Sequence, residues 1–311
     1  QIDVKNAYGN SVLKETVYMN QPKGFEIGDN LVCKLNKSIY GLKQSGNEWN
    51  KLLNNELLKL SFKRLKTDSC VYIKQSEIEN IIIIAVYVDD ILIMGKHKSE
   101  ICKIKCDIAK VFEIDDLGDC KYVLGLNVER GSDWLSVNQR QYILNILQQY
   151  NMTDCNPART PLVQGQKMVQ CKGKSGDSSC EECGKVEATA YRSLIGTLMF
   201  LAVSTRPDIS YAVSMLSRFN NNPHFVHFSA AKHILRYLKG TVDYGIIFKK
   251  SNQPLVGYSD ADWANDLNDR RSYTGFVFLL ANGPVAWEAR KQPTVGLSSS
   301  EAEYVGLAQG S

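Results

Sequence analysis

The chain has 311 residues, room for about two domains of ~100–200 residues each. Hydrophobic residues make up 44% and charged residues 23%, a balance that excludes a disordered or fibrous chain. A formal charge of +4 permits a nucleic-acid partner without requiring one, and nine scattered cysteines fit reduced thiols rather than a small disulfide scaffold. No signal peptide, targeting segment or membrane-spanning run is readable. The first residue is Gln rather than Met, so a piece of a longer polypeptide is expected.

Gln1–Ala7 alternates as a strand does and carries Asp3 among apolar neighbours. Such an acid is a candidate metal ligand; taken alone it also reads as a solvated strand end. Val12–Met19 and Leu31–Leu35 read as strands around a turn at Gln21–Gly24. A helix is expected from Glu48, with Trp49, Leu52, Leu53, Leu57 and Leu60 as its core face and Lys63, Arg64 and Lys66 closing it. Asp68–Lys74 reads as a short strand.

Ile81–Gly95 is the most informative stretch. A β-branched and aliphatic run is interrupted by Asp89 and Asp90 and then resumes. Two buried strands joined by a tight turn are expected, with the acids at the tip. Adjacent carboxylates raise each other's proton affinity, and burying them is costly; a divalent cation removes both problems. The competing reading is a solvated hairpin turn, since Asp is a common turn residue.

An amphipathic helix follows, with Ile101, Ile104, Ile108, Val111 and Phe112 inward and lysines exposed. Lys121–Glu129 reads as a strand broken by Gly125, Asp133–Val137 as a strand and Gln141–Tyr150 as a helix. Pro157–Ala188 is polar and Gly/Ser-rich, as linkers are. Cys171, Cys180 and Cys183 lie in it, and with no fourth ligand near they read as free thiols rather than a zinc site.

Helices are expected over Tyr191–Ser204, Ile209–Phe219 and His227–Lys239. Thr205-Arg-Pro-Asp208 reads as a helix start with a capping Thr. The histidines at 97, 224, 227 and 233 have no catalytic spacing and read as surface residues. Leu255–Tyr258 is a strand ending at Asp260. Gly275–Leu280, a turn at Ala281-Asn-Gly283 and Val285–Trp287 complete a meander. Ser298 opens a last helix through a Ser-x-x-Glu box, with Glu303 expected in its first turn. Asp260 and Glu303 form a second candidate metal pair.

These segments together resemble the Ty1/copia class of retrotransposon polyprotein, over its reverse transcriptase and the beginning of its ribonuclease H. The resemblance runs through QIDVKNAY, SIYGLKQS, YVDD, YVLGLNV, YRSLIGTLMFLAVSTRPDISYAV, HILRYLKGT, YSDADWAND, DRRSYTGFVF and SSSEAEY. Each motif alone is modest; the set in this order is specific.

The resemblance implies an α+β chain. A polymerase palm and thumb would occupy residues 1–155, with the fingers largely missing. A flexible linker over 156–189 and a helical connection over 190–250 would follow. The N-terminal part of a ribonuclease H-like domain would fill 251–311. It implies RNA-directed DNA synthesis, with Asp3, Asp89 and Asp90 holding magnesium, for which manganese substitutes. Tyr8 matches the aromatic against the sugar, Tyr40 and Gly41 the nucleotide pocket, and Leu124, Gly125 and Leu126 the primer grip. Asp260 and Glu303 match the first two of four ribonuclease H acids; the other two would lie beyond Ser311, so hybrid cleavage by this chain alone is not expected. Implied partners are an RNA template, a DNA primer, the RNA/DNA hybrid, dNTPs and other Pol segments, including integrase and the rest of ribonuclease H. No membrane is expected, and the place of action would be a cytoplasmic virus-like particle or the nucleus.

The sequence departs from the family's usual residues in the turn Tyr8-Gly-Asn-Ser11 and at Gly46, Asn47, Gly296 and Gly306. Such drift leaves a second hypothesis beside the polymerase: an inert transposon remnant or a nucleic-acid-binding module. A different two-metal phosphohydrolase would leave YVLGLNV and SIYGLKQS without a purpose.

Overall fold

A computed structural model describes residues 1–77, 80–166, 168 and 186–311. Among the described residues the chain is a mixed α/β protein with seven α-helices and four sheets. It divides into two compact units, Gln1–Cys120 and Lys121–Ser311.

The first unit is built on strands β1 (Ile2–Val4), β2 (Tyr18–Asn20), β3 (Val32–Lys34), β4 (Lys63–Arg64), β5 (Val71–Glu77), β6 (Asn80–Tyr87), β7 (Asp90–Gly95) and β8 (Ile114–Asp116), with helices α1 (Ser45–Lys59) and α2 (Lys98–Ala109). Six of the strands form one sheet in the order β4-β5-β6-β7-β1-β8. The β-branched residues of β6 and β7 fill a core with the helices: Ile82, Ile84, Ile91 and Ile93 meet Trp49, Leu53 and Leu57 of α1 and Ile104 and Ile108 of α2. Ile2 and Val4 of β1 are buried in the same core.

Four sequence expectations change here. The Val12–Met19 strand shrinks to Tyr18–Asn20, and Val12 makes an isolated bridge to Lys37. The exposed Lys14-Glu15-Thr16 run has no apolar face to bury. Helix α1 starts at Ser45, whose hydroxyl donates to the Ile39 carbonyl at 2.6 Å. Strand β5 starts at Val71, because the Asp68 carboxylate accepts the Cys70 amide at 2.8 Å and makes a turn of residues 68–70. In α2, Val111 proves half-exposed just past the helix end.

The second unit contains β9 (Tyr122–Val123), β10 (Leu126–Arg130), β11 (Trp134–Asn138), α3 (Arg140–Gln149), α4 (Ala188–Ser204), α5 (Ser210–Ser217), α6 (Phe225–Gly240), β12 (Gly245–Lys249), β13 (Val256–Ala261), β14 (Tyr273–Leu280), β15 (Gly283–Lys291) and α7 (Ser299–Gly310). One sheet runs β12-β11-β10-β9 and another is the meander β13-β14-β15. Helices α3 to α6 bury Ile143, Leu194, Leu198, Leu216, Ile234 and Leu238 in a single core.

Lys121–Glu129 is a hairpin rather than one broken strand: Leu124 (φ 49°) and Gly125 (φ 84°) make a left-handed turn between β9 and β10. Thr205 caps the end of α4 rather than the start of the next helix. Its hydroxyl donates to Gln139, and its amide closes α4 on Leu201. The next residue, Arg206, is 1% exposed and grips Asp208 through two nitrogens. The histidine expectation is half corrected. His97 is exposed and His233 is half-buried, with a ring nitrogen 3.0 Å from the Thr160 carbonyl, but His224 and His227 are buried at the start of α6. The His224 amide donates to His227 Nδ1 at 3.1 Å, and the His227 ring stacks on Phe219 at 3.8 Å, which an apolar cap environment favours over solvent.

Cys171, Cys180 and Cys183 lie outside the described residues. Met168, within the expected linker, is buried against the helical core. Among the described residues no helix is long and apolar enough to cross a membrane.

Candidate functional site

The first unit brings the N-terminal acid to the turn acids. Strand β1 pairs antiparallel with β7, and the register sets Asp3 opposite Asp90. Directly opposed residues share a face of the sheet, so the two carboxylates project to the same side. Between β6 and β7 the loop is Val88-Asp89, flanked by the pair Tyr87–Asp90. Asp89 is held to the same strand, for its carbonyl accepts the Val4 amide at 2.9 Å. An acid near the amino end and two adjacent turn acids thus lie at one sheet end.

The electrostatics follow from that crowding. Burial pushes the Asp3 carboxyl up, and the charges of Asp89, Asp90 and Asp115 push it further the same way. Protein donors engage the other two acids: Gln1 Nε2 donates to Asp90 at 2.9 Å, and the Tyr40 hydroxyl to Asp89 at 3.4 Å. Burial and the nearby Asp89 charge push the Tyr40 phenol up. Among the described residues no three His, Cys, Asp or Glu side chains form a ready cation cage. The donor set is nonetheless hard carboxylate oxygen, the kind that magnesium and manganese take. An upward-pushed acid beside two others is also the situation a cation relieves.

Tyr8 sits in the 3-10 turn Ala7–Asn10, after a left-handed Asn6. Its ring packs on Tyr40 with centroids 4.5 Å apart. The sequence-predicted residues Tyr8 and Tyr40 are therefore together, and Tyr40 reaches Asp89. Gly41 has φ 94°, a left-handed conformation that favours glycine after Tyr40.

One contributor was read from sequence only as a core residue. The Trp49 indole, 3% exposed, donates to the Val88 carbonyl at 2.7 Å. Val88 has φ 57°, an outlying conformation for a β-branched residue. The helical spacing of Trp49 announced burial, but nothing in the sequence named the partner of its N–H.

In the second unit, Leu124 and Gly125 form the β9–β10 turn and Leu126 opens β10. Asp260 is exposed on β13, opposite Gly275. Glu303 lies in the second turn of α7 rather than the first, which holds Glu301. Helix α7 packs on β13 through Gly306, close to Ser259 and Ala261. Asp260 lies between those two residues on the strand.

Comparison with known proteins supplies the frame for this geometry. Residues 1–164 match the family described as reverse transcriptase (RNA-dependent DNA polymerase). Over 98% of its length the chain is 41% identical to the retrovirus-related Pol polyprotein from transposon TNT 1-94 of Nicotiana tabacum, covering 23% of it. It is 40% identical over 99% of its length to the polyprotein from transposon RE1 of Arabidopsis thaliana, covering 20% of that protein. A transposon Ty5-1 protein of Saccharomyces cerevisiae is 32% identical, with 98% of this chain and 97% of that one covered. The chain thus spans about a fifth to a quarter of the two plant polyproteins.

Proposed function

The chain belongs to the reverse transcriptase (RNA-dependent DNA polymerase) family, in the form found in Ty1/copia-type Pol polyproteins, and on that premise we propose that it extends a DNA primer on an RNA template. The observation that carries the reading is the register of β1 on β7, which sets Asp3 opposite Asp90 and ties Asp89 to the same strand. Asp3, Asp89 and Asp90 are the residues that hold magnesium, or manganese in its place. When bound, the cation supplies charge neutralisation at the attacking and leaving oxygens of nucleotidyl transfer.

The chain's own groups do the positioning. Tyr8 lies against the sugar of the incoming dNTP and disfavours a 2′ hydroxyl. Tyr40 and Gly41 line the nucleotide pocket, and the Leu124-Gly125-Leu126 turn grips the primer. On this reading residues 1–155 are palm and thumb, 156–189 a linker and 190–250 a connection. Residues 251–311 are the N-terminal part of a ribonuclease H-like domain, and no cleavage step is assigned to Asp260 and Glu303. The RNA/DNA hybrid and other Pol segments, integrase among them, are the proposed partners. A cytoplasmic particle or the nucleus is the proposed place of action.

Primer extension on an RNA template with Mg²⁺ or Mn²⁺ tests this, comparing wild type with Asp89→Asn. The expected result is extension by wild type and a loss of about 100-fold or more in the variant. Equal extension in both overturns the polymerase assignment. Salt-dependent hybrid binding without extension by wild type assigns the chain to the nucleic-acid-binding class instead.

A further inference from the structure

We propose that Trp49 is the positioning residue for Asp89, acting through the peptide group that precedes it; the proposal rests on the assignment of Asp89 to the cation site. Two peptide planes flank the Asp89 α-carbon, and the fold holds each by its carbonyl. The plane after Asp89 is fixed by the Val4 amide, 2.9 Å from the Asp89 carbonyl. The plane before it is fixed by the Trp49 indole, 2.7 Å from the Val88 carbonyl. With both planes fixed, the backbone torsions of Asp89 have little freedom and its Cα–Cβ bond has one direction.

The second anchor has more to resist than the first. Val88 is held at φ 57°, where a β-branched side chain meets its own backbone, so an unanchored turn would relax toward negative φ. Relaxation rotates the Val88–Asp89 peptide and swings the Asp89 carboxylate away from Asp3. Trp49 can resist because it is itself immobile. Its ring is buried in the second turn of α1 and meets the Phe112 ring edge-on at 5.2 Å. An indole offers one N–H and no acceptor, so the hydrogen bond has a single available sense. A purely apolar residue at position 49 would fill the same core and leave the turn unheld.

The test compares the 311-residue wild type with Trp49→Phe, which keeps an aromatic ring beside Phe112 and removes the donor along with part of the ring volume, the latter being read by the thermal midpoint. Three quantities are measured: the thermal midpoint, Mn²⁺ affinity by water-proton relaxation with the metal alone, and kcat and KM for single-nucleotide extension. Loss of one anchoring hydrogen bond is expected to lower Mn²⁺ affinity and kcat by about tenfold each, with KM for the dNTP within about twofold. Asp89→Asn should lower Mn²⁺ affinity at least as far, and adding Trp49→Phe to it should lower it no further. A Trp49→Phe protein with Mn²⁺ affinity within about twofold of wild type overturns the proposal. So does a loss in which kcat and KM change together and follow the thermal midpoint. If wild type binds Mn²⁺ through Asp89 but does not extend primers, the affinity comparison alone decides the role of Trp49, and only the polymerase assignment fails. A wild type that neither binds Mn²⁺ nor extends overturns both.

Discussion

Asp3 and Asp90 face each other across the antiparallel pair of β1 and β7, so the first strand delivers its acid to the turn by register alone. A slip of one residue would send Asp3 to the opposite face and bury a carboxylate where Ile2 or Val4 now packs.

That arrangement stores repulsion, and the sign of its pH dependence follows. The Asp3 carboxyl is pushed up by burial first and by Asp89, Asp90 and Asp115 next. The folded state therefore binds more protons than the unfolded state between the two pKa values, and its stability falls as pH rises through that window. Asp3→Asn should raise the thermal midpoint at neutral pH in metal-free buffer. The advantage should vanish below about pH 4, where the unfolded-state carboxyl is also protonated. Thermal scans across pH check this, and an equal midpoint at neutral pH would count against the crowding.

Arg206 holds the second unit together from inside. Its guanidinium donates to Asp208 at 2.9 and 2.7 Å and to the carbonyl and hydroxyl of Thr241 at 3.0 and 2.6 Å. Arg206→Met should cost about 2–4 kcal/mol, because Asp208 loses its cationic partner and the Thr241 carbonyl loses its donor. Arg206→Lys should recover little, since an ammonium cannot reproduce the fork. Burial works to raise the Asp208 carboxyl, but Arg206 and the Tyr237 hydroxyl outweigh it and hold the group low. Its contribution is present above the unfolded value and is lost as pH falls below about 4 toward the folded value. Urea melts at two pH values measure both effects.

At the start of α6, His227 acts as cap and core together, accepting the His224 amide and stacking on Phe219. His227→Ala should destabilise by about 2–4 kcal/mol, the sum of a lost cap and a cavity. His97→Ala, at an exposed position, should stay within about 0.5 kcal/mol. Equal urea midpoints for the two variants would refute the difference in burial.

One substitution should stabilise. The turn between β14 and β15 places Ala281 at φ 51° and Asn282 at φ 61°. Ala281→Gly removes a Cβ from a left-handed position and should gain about 0.5–1 kcal/mol, read from the urea midpoint at unchanged m-value.

The acid hairpin was legible because its signal is local: β-branched runs on both sides of two acids allow few other folds. The capping box at Ser298 was legible for the same reason, and its hydroxyl accepts the Glu301 amide at 3.1 Å. What stayed hidden depends on distant partners. Trp49 and Arg206 each occupy a position whose local pattern gives burial or a cap, while their hydrogen bonds go to Val88 and Thr241. His227 read as a surface residue because its stacking partner lies on the preceding turn. Leu124 at φ 49° was hidden too, since a left-handed leucine has no sequence signature and Gly125 alone suggested a broken strand.

Strand β1 does not sit at the rim of its sheet. It is inserted between β7 and β8, with Ile2 paired to Ile91 on one side and Asp116 on the other. Contacts so far apart along the chain carry a large closure entropy and form late. The three acids therefore assemble as a closing act of folding, after the hairpin that bears two of them can already exist. A first unit without β1 in place would carry the turn acids and lack the carboxylate that register sets opposite them.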